Sequence, residues 1–337
     1  IDSESGRRQH GSAPMNPITP DTDAATETVK SLPFTGPWLL APMDGVTEPV
    51  FLELVLARNP PEHLGGAFTE FVRVTDHPLP VKLLAARLEL EPFEAPVGLQ
   101  LMGADLAALA ETARNAELAG APLLDLNFGC PAKGALRGCA GSATLTDPAR
   151  VEATVQACRD AVTAIPVTAK MRAGFEDDSL LEDNVRAAEA GGAALVTVHC
   201  RTKAEGYCPE LDWSRIARAV EVAGGPVCGN GGVKTHADLK RMRSETGCAL
   251  VMVGHGALAD PWIFSGAEVS AAEAARFLLE YSERLCAAGA STKGSVQRVK
   301  QLLVHWTAGG LSRDRSSWLK EPDPQELLTR LRDVSGP

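Results

Sequence analysis

The chain has 337 residues, with 43 Asp+Glu against 33 Lys+Arg and a formal net charge of −10. That length holds one large domain, or a barrel with a small appendage, and the acidic balance excludes binding of nucleic acid through bulk charge, though not through a local basic face. Hydrophobic residues at 45% exclude disorder throughout, and aromatic residues at 5% argue against stacking platforms for single strands.

No run approaches the roughly 18 apolar residues of a membrane span, and the polar first 35 residues lack the apolar core of a signal peptide. Eight cysteines lie scattered with no C-x-x-C pair. In a chain this long that pattern points to reduced thiols and a cytoplasmic protein, with no disulfide scaffold and no metal-ligand spacing.

Residues 1–34, rich in Ser, Thr, Pro and Asp, read as a flexible leader with Met15 a candidate natural start. From Trp38 short apolar runs recur, each followed by a helical stretch. The runs are Trp38–Pro42, Ala67–Phe71, Pro96–Leu101, Leu123–Asn127, Val167–Met171, Leu195–His199, Val227–Gly229 and Leu250–Val253. Near-continuous runs suit parallel strands buried on both faces. Helices are expected over Asp105–Ala119 and Asp147–Ala164, with Asp105 and Asp147 as N-caps. Eight such units over about 230 residues match a (β/α)8 TIM barrel. A doubly wound sheet is the rival, but the first loop, APMDG, lacks a G-x-G-x-x-G. After about Glu268 the strand signals stop, and 271–288, 296–306 and 324–332 read as helices. The organisation expected is a leader (1–34), a barrel (35–267) and a small all-α C-terminal domain (268–337).

In a barrel the chemistry sits at the C-terminal ends of the strands. Here those ends carry Gln, Asn, Cys, Lys, Arg and His where an apolar core would otherwise close. GNGG (229–232) and GHG (254–256) follow the last two strands, where barrels commonly bind phosphate through backbone N–H groups. Lys170, inside an apolar strand, needs an anionic or electron-rich partner or a path to solvent. His199 ends a strand and, taken alone, reads better as a satisfied core histidine. Cys130, in Asn127-Phe-Gly-Cys-Pro131, offers a labile proton near neutral pH, with Cys139 as its rival.

With these residues in view, the sequence resembles the tRNA-dihydrouridine synthases from about Trp38 to near the C-terminus. The matching stretches include APMDGVTEPVF (41–51), TEFVRV (69–74), LQLMG (99–103), DLNFGCPAK (125–133), KMRAG (170–174), VHCRTKAEGY (198–207), GNGG (229–232) and VMVGHGAL (251–258). Phe71–Lys82 and Arg298-Val-Lys-Gln301 look most like the branch that modifies uridine 16 of the D-loop.

The resemblance implies FMN as cofactor, NADPH as reductant and tRNA as substrate. It sets Pro42 and Met43 beside the flavin ring, with Gln100 and Lys170 hydrogen-bonded to its polar edge and His199 also in contact with the cofactor. It gives the phosphate to Asn230, Gly231, Gly232, Gly254 and His255. Cys130 would be the general acid that protonates uracil C5, with hydride arriving at C6. Asn127 and Tyr207 would hold the extruded uracil, and Arg73, Arg298 and Lys300 would contact tRNA. By family analogy the protein would be a monomer, bound to no membrane and no metal. One departure stands out: His255 occupies the middle of a Gly-x-Gly where the family usually has Arg, an always-charged fork for phosphate.

Between Ser291 and Lys320 six cations (Lys293, Arg298, Lys300, Arg313, Arg315, Lys320) face one anion, Asp314, opposite in sign to the chain as a whole. A solvated helix face is the ordinary explanation of such a run, and an RNA-facing surface the other. Two rival functions remain at this level. One is an FMN barrel oxidoreductase acting on a free pyrimidine, which would not need the basic tail. The other is a catalytically dead RNA-binding barrel, which would not need Cys130, Lys170, Gln100 and His199.

Overall fold

A computed structural model describes residues 32–336 apart from 138, 207 and 209, with the side chains of 136, 137 and 312–314 also left out. Eight parallel strands close on themselves: β1 (Trp38–Leu40), β2 (Leu64–Phe68), β4 (Val97–Met102), β5 (Leu124–Phe128), β6 (Val167–Arg172), β7 (Val196–His199), β8 (Val227–Asn230) and β9 (Leu250–Val253). β1 pairs with both β2 and β9, which seals the barrel. A two-residue strand, β3 (Val72–Arg73), pairs with β4 outside that circuit. The apolar runs form these strands because both faces are covered, the interior by other strands and the exterior by helices. The fold is the expected (β/α)8 TIM barrel.

The second strand differs from its expected place, Ala67–Phe71, and begins three residues earlier. Gly65 and Gly66 interrupt the apolar run and hide its start. They are needed because residues 34–36 pass directly over them. A Cβ on Gly65 would overlap the Gly36 backbone, and one on Gly66 would lie 2.6 Å from the Phe34 ring. Leu32 and Phe34, at the end of the stretch read as leader, pack with Leu123, Leu195 and Leu250 at the strand starts. The N-terminal end of the barrel is therefore apolar and closed.

The outer helices in chain order are α1 (Pro49–Arg58), α2 (Val81–Ala85), α3 (Leu106–Leu118), α4 (Lys133–Arg137), α5 (Pro148–Ala161), α6 (Leu181–Ala190), α7 (Ser214–Val222), α8 (His236–Thr246) and α9 (His255–Ala259). Asp105 caps α3 as expected, its Oδ1 accepting from the Ala108 N–H at 2.9 Å. Asp147 occupies the N-cap of α5, but its side chain makes no capping bond. Pro148 opens that helix instead, with its φ preset and no N–H to satisfy.

After the barrel come α10 (Ala271–Ala287), α11 (Thr292–His305), α12 (Arg315–Lys320) and α13 (Pro324–Ser335). α10 packs on α1, with Phe51 edge-on to Phe277 at 6.4 Å and to Tyr281 at 6.1 Å. One apolar cluster runs from Leu40 and Phe51 through Phe277 to Trp306 and Leu331. These helices share the core of the barrel's first and last units, and so flank the mouth beside β1 and β9. Among the described residues no helix is long and apolar enough to cross a membrane.

Candidate functional site

The C-terminal mouth is lined by side chains that alternate inward on neighbouring strands. Register pairs Gln100 with Asp125, Asp125 with Thr168, and Asn127 with Lys170. Arg172, His199 and Asn230 follow in the next row. Gln100, Asp125 and Thr168 are wholly buried, so each polar atom needs an internal partner. Gln100 Nε2 donates to Asp125 Oδ2 at 2.6 Å, and Thr168 Oγ1 to Asp125 Oδ1 at 2.6 Å. Asn127 Nδ2 donates to Gln100 Oε1 at 2.8 Å. Asn127 Oδ1 then accepts from the N–H groups of Gly129 and Cys130, both at 2.9 Å.

Cys130 is half-buried on the loop after β5, against Met102, Ala135 and Ala140. Its carbonyl accepts from Ser142 N at 3.1 Å and Ser142 Oγ at 3.0 Å. Both sides of its backbone are thus tied down. Gly141 makes the return possible: with φ +61°, a Cβ there would sit 2.8 Å from the Cys130 carbonyl oxygen. Arg172 braces the same loop, donating from Nε to the Gly129 carbonyl at 2.8 Å. The rival, Cys139, lies exposed on the neighbouring loop. All eight cysteines are free thiols.

The charges of the mouth are tuned by burial. Burial lowers the Lys170 ammonium from 10.5 to about 8, against the pull of Asp125 and with the push of Arg172. Lys170 donates a hydrogen bond to no described residue. Burial raises Asp125 to about 6, opposed by its bonds from Gln100 and Thr168 and by Lys170. His199 is held well below the usual histidine range by burial, then by Lys170, Arg172 and Arg201. Its Nδ1 accepts from the Arg201 N–H at 3.3 Å, so the neutral ring carries its proton on Nε2. The mouth presents an unpaired ammonium, an ionised carboxylate beneath it, and a neutral imidazole donor.

The glycines after β8 form a concave turn. Gly231 has φ +110° and Gly232 φ +77°, where side chains are strained. A Cβ on Gly231 would meet Cys200 Sγ at 2.8 Å and His199 Nε2 at 3.2 Å. Trp213 Nε1 fixes the turn from outside by donating to the Gly231 carbonyl at 3.0 Å. Asn230 Nδ2 donates to the Met252 carbonyl at 2.7 Å, so its amide group is spent on binding β8 to β9. Met43 lies across from Gly254, where a Cβ would sit 3.3 Å from its sulfur. Thr47 Oγ1 accepts from the Met43 N–H at 2.8 Å and holds that loop, which follows Pro42. His255 faces His305 of α11, ring centroids 5.6 Å apart, and is held below its ordinary value by burial, His305 and Arg201.

The expected tRNA cations are engaged within the chain. Arg298 Nη2 donates to Glu48 Oε1 at 3.2 Å, and Nη1 to Gln301 Oε1 at 3.1 Å and to the Gly45 carbonyl. Tyr281 Oη donates to the same Glu48 oxygen at 2.5 Å. Lys300 Nζ donates to the Leu319 carbonyl at 3.2 Å and to that of Glu321. Arg73 Nη2 donates to the Gly134 carbonyl at 2.9 Å, at the rim beside the Cys130 loop. Tyr207 lies outside the described residues. Between mouth and tail opens a cavity of about 410 Å³, lined by Asp44, His255, Tyr281, Arg298, Gln301 and His305 among others. Beside Asp44, burial raises the Glu70 carboxyl and leaves its Oε1 without a hydrogen-bond partner.

Asp125, Arg172 and Arg201 were not singled out by sequence reasoning. The available signal for Asp125 was its spacing of two from Asn127 on one strand, which puts both on one face.

The model of the family described as dihydrouridine synthase (Dus) matches residues 39–304. A curated relative named tRNA-dihydrouridine(16) synthase, from Aquipseudomonas alcaligenes, is 40% identical over 233 residues, 66% of this chain and 72% of that protein. One of the same name from Shewanella oneidensis is 37% identical over 258 residues, 73% of this chain and 81% of that protein. Among solved structures, a 2-naphthoyl-CoA reductase is similar in fold, with a TM-score of 0.55 at 10% identity over 69% of this chain and 50% of that one.

Proposed function

Given that the chain belongs to the dihydrouridine synthase family, we propose that it reduces uridine 16 in the D-loop of tRNA to 5,6-dihydrouridine, using bound FMN and NADPH. The relatives named for position 16 support the choice of uridine. The residues present fit FMN: a half-buried ammonium with no hydrogen-bond acceptor among the described residues, a neutral imidazole donor, and a glycine turn after β8 whose positive φ values suit no side chain. Lys170 and His199 would hold the ring, with Pro42 and Met43 beside it, while Gln100, expected at its polar edge, gives its amide to Asp125 and Asn127 and supports the site from beneath. Gly231, Gly232, Gly254 and His255 would hold the phosphate, with Asn230, bonded to the Met252 carbonyl, fixing the end of β8 beside them. When bound, FMN supplies the hydride that side chains cannot, renewed from NADPH.

The chain's own residues do the rest. Cys130 carries a proton at Sγ for uracil C5, and its backbone is tied at both N–H and C=O. The second Nδ2 proton of Asn127, and Tyr207, are donors for the uracil edge. An unstacked D-loop base costs less to extrude than a paired one. Residues 35–267 carry the cofactor and residues 268–337 contribute the tRNA-facing surface, where Arg73, Arg298 and Lys300 would reach tRNA by exchanging the internal acceptors they hold in this structure. The protein works as a monomer in the cytoplasm.

The observation that carries this reading is the meeting of Cys130, pinned on both sides, with the unpaired Lys170 at one barrel mouth. Its test is Cys130→Ala. The variant keeps its flavin and binds tRNA, and its single-turnover rate falls by about 10²–10⁴, the usual worth of a general acid. A near-wild-type rate would remove Cys130 from the chemistry.

A further inference from the structure

Asp125 is a buried carboxylate of the barrel interior for which the proposed chemistry has no use. It is wholly buried on β5; Thr168 donates to one of its oxygens and Gln100 to the other, and from Gln100 a line of hydrogen bonds runs on. Gln100 bridges it to Asn127, and Asn127 reaches the backbone of Cys130, through contacts of 2.6, 2.8 and 2.9 Å.

The direction of that line is set at both ends. A carboxylate only accepts, and a backbone N–H only donates. Gln100 must therefore turn its NH2 to Asp125, which leaves Oε1 for Asn127. Asn127 must turn its NH2 to Gln100, which leaves Oδ1 for Gly129 and Cys130. Reversing either amide opposes two donors or two acceptors in a site that Gln100, wholly buried, cannot share with water. The charged and titratable groups facing Asp125 are Lys170 on β6 and Cys228 on β8. Neither donates a hydrogen bond to it; its donors are Thr168, whose bond ends on β6, and Gln100, whose line continues to Cys130.

We propose that Asp125 is a positioning residue for Cys130. Through Gln100 and Asn127 it fixes the polarity of the hydrogen bond that holds the Cys130 backbone, and with it the presentation of the thiol. This rests on the reading of Cys130 as the proton donor.

The test exchanges acid and amide along the line, in the full-length holoenzyme. Its readout is the rate of Cys130 alkylation by iodoacetamide, measured by mass spectrometry against exposed Cys139. Asp125→Asn can still offer an oxygen to Gln100 and its NH2 to Thr168, whose hydroxyl turns to accept. Its alkylation ratio stays within about twofold of wild type. Asn127→Asp faces Gln100 Oε1 with a second acceptor, and the ratio shifts by about fivefold or more, the size expected for a buried hydrogen bond lost. The double variant Asp125→Asn/Asn127→Asp lets Gln100 reverse, satisfies every atom again, and returns the ratio toward wild type. Asp125→Leu leaves Gln100 without an acceptor. It lowers the single-turnover rate at saturating tRNA by about tenfold, with KM for tRNA unchanged.

A double variant no better than Asn127→Asp alone would overturn the proposal. So would an Asp125→Leu protein that is folded yet unchanged in both alkylation ratio and rate. A wild-type rate in Cys130→Ala would instead strike the reading of Cys130, and leaves the alkylation result standing by itself.

Discussion

Replacing Lys170 by Met should stabilise the protein when no flavin is bound, although it removes a residue assigned to the site. The ammonium sits among buried strand ends and donates to no described residue, and burial takes it from 10.5 to about 8. At 1.36 kcal/mol per tenfold, that fall corresponds to about 3 kcal/mol of unfavourable charge burial, with the attraction of Asp125 already counted. The side chain keeps some contact with solvent, which reduces the figure to about 1–2 kcal/mol. Met fills nearly the same volume without the charge.

The sign follows from proton binding. Below about pH 8 the amine is charged in both the folded and unfolded states, and the full cost is present. As pH rises from about 8 towards 10.5, the folded protein gives up the proton first and the cost fades. Urea unfolding of flavin-free wild type and Lys170→Met at pH 7 and pH 10 measures this. The variant should be more stable by about 1–2 kcal/mol at pH 7 and indistinguishable near pH 10.5. Flavin retention should move the other way, weakening about tenfold or more as one charge-assisted bond is lost. A Lys170→Met protein less stable than wild type at pH 7, or an advantage that persists unchanged into alkali, would refute the reasoning.

Arg298→Gln should cost about 1–3 kcal/mol of stability in thermal unfolding, because Arg298 and Glu48 are only 24% and 20% exposed and Glu48 would lose its cation. Unchanged stability with weakened tRNA binding would assign Arg298 to tRNA alone. His255→Arg should tighten FMN binding and remove its pH dependence. In wild type His255 is neutral above its lowered value, below 6.5, so affinity should rise only as pH falls through that range. Equal FMN dissociation constants for the two proteins from pH 5 to 8 would sink this.

The fold was legible because parallel strands buried on both faces leave near-continuous apolar runs, and seven of the eight fell where expected. The eighth, β2, was displaced by Gly65 and Gly66, whose role is to let residues 34–36 pass over them. That requirement belongs to tertiary packing and leaves no local signal. The gathering of Gln100, Asn127, Cys130, Lys170 and His199 at one mouth follows from strand ends, and was legible for that reason.

What hydrogen bonds a side chain makes was not legible. Asn230 is spent on the Met252 carbonyl, Lys300 on two carbonyls of the chain, and Arg298 on Glu48, Gly45 and Gln301. Charge counting sees six cations in the tail but not which of them an internal partner already holds. Asp125 stayed hidden inside an apolar run because the side-chain period of two only becomes a polar network once register sets Gln100 and Thr168 on either side.

The most direct measurement maps dihydrouridine at single-nucleotide resolution in unmodified tRNA incubated with the purified protein, FMN and NADPH, beside the Cys130→Ala variant. Dihydrouridine should accumulate at position 16 with wild type and be nearly absent with the variant over the same time. No dihydrouridine with wild type, or dihydrouridine confined to another position, would contradict the proposed function.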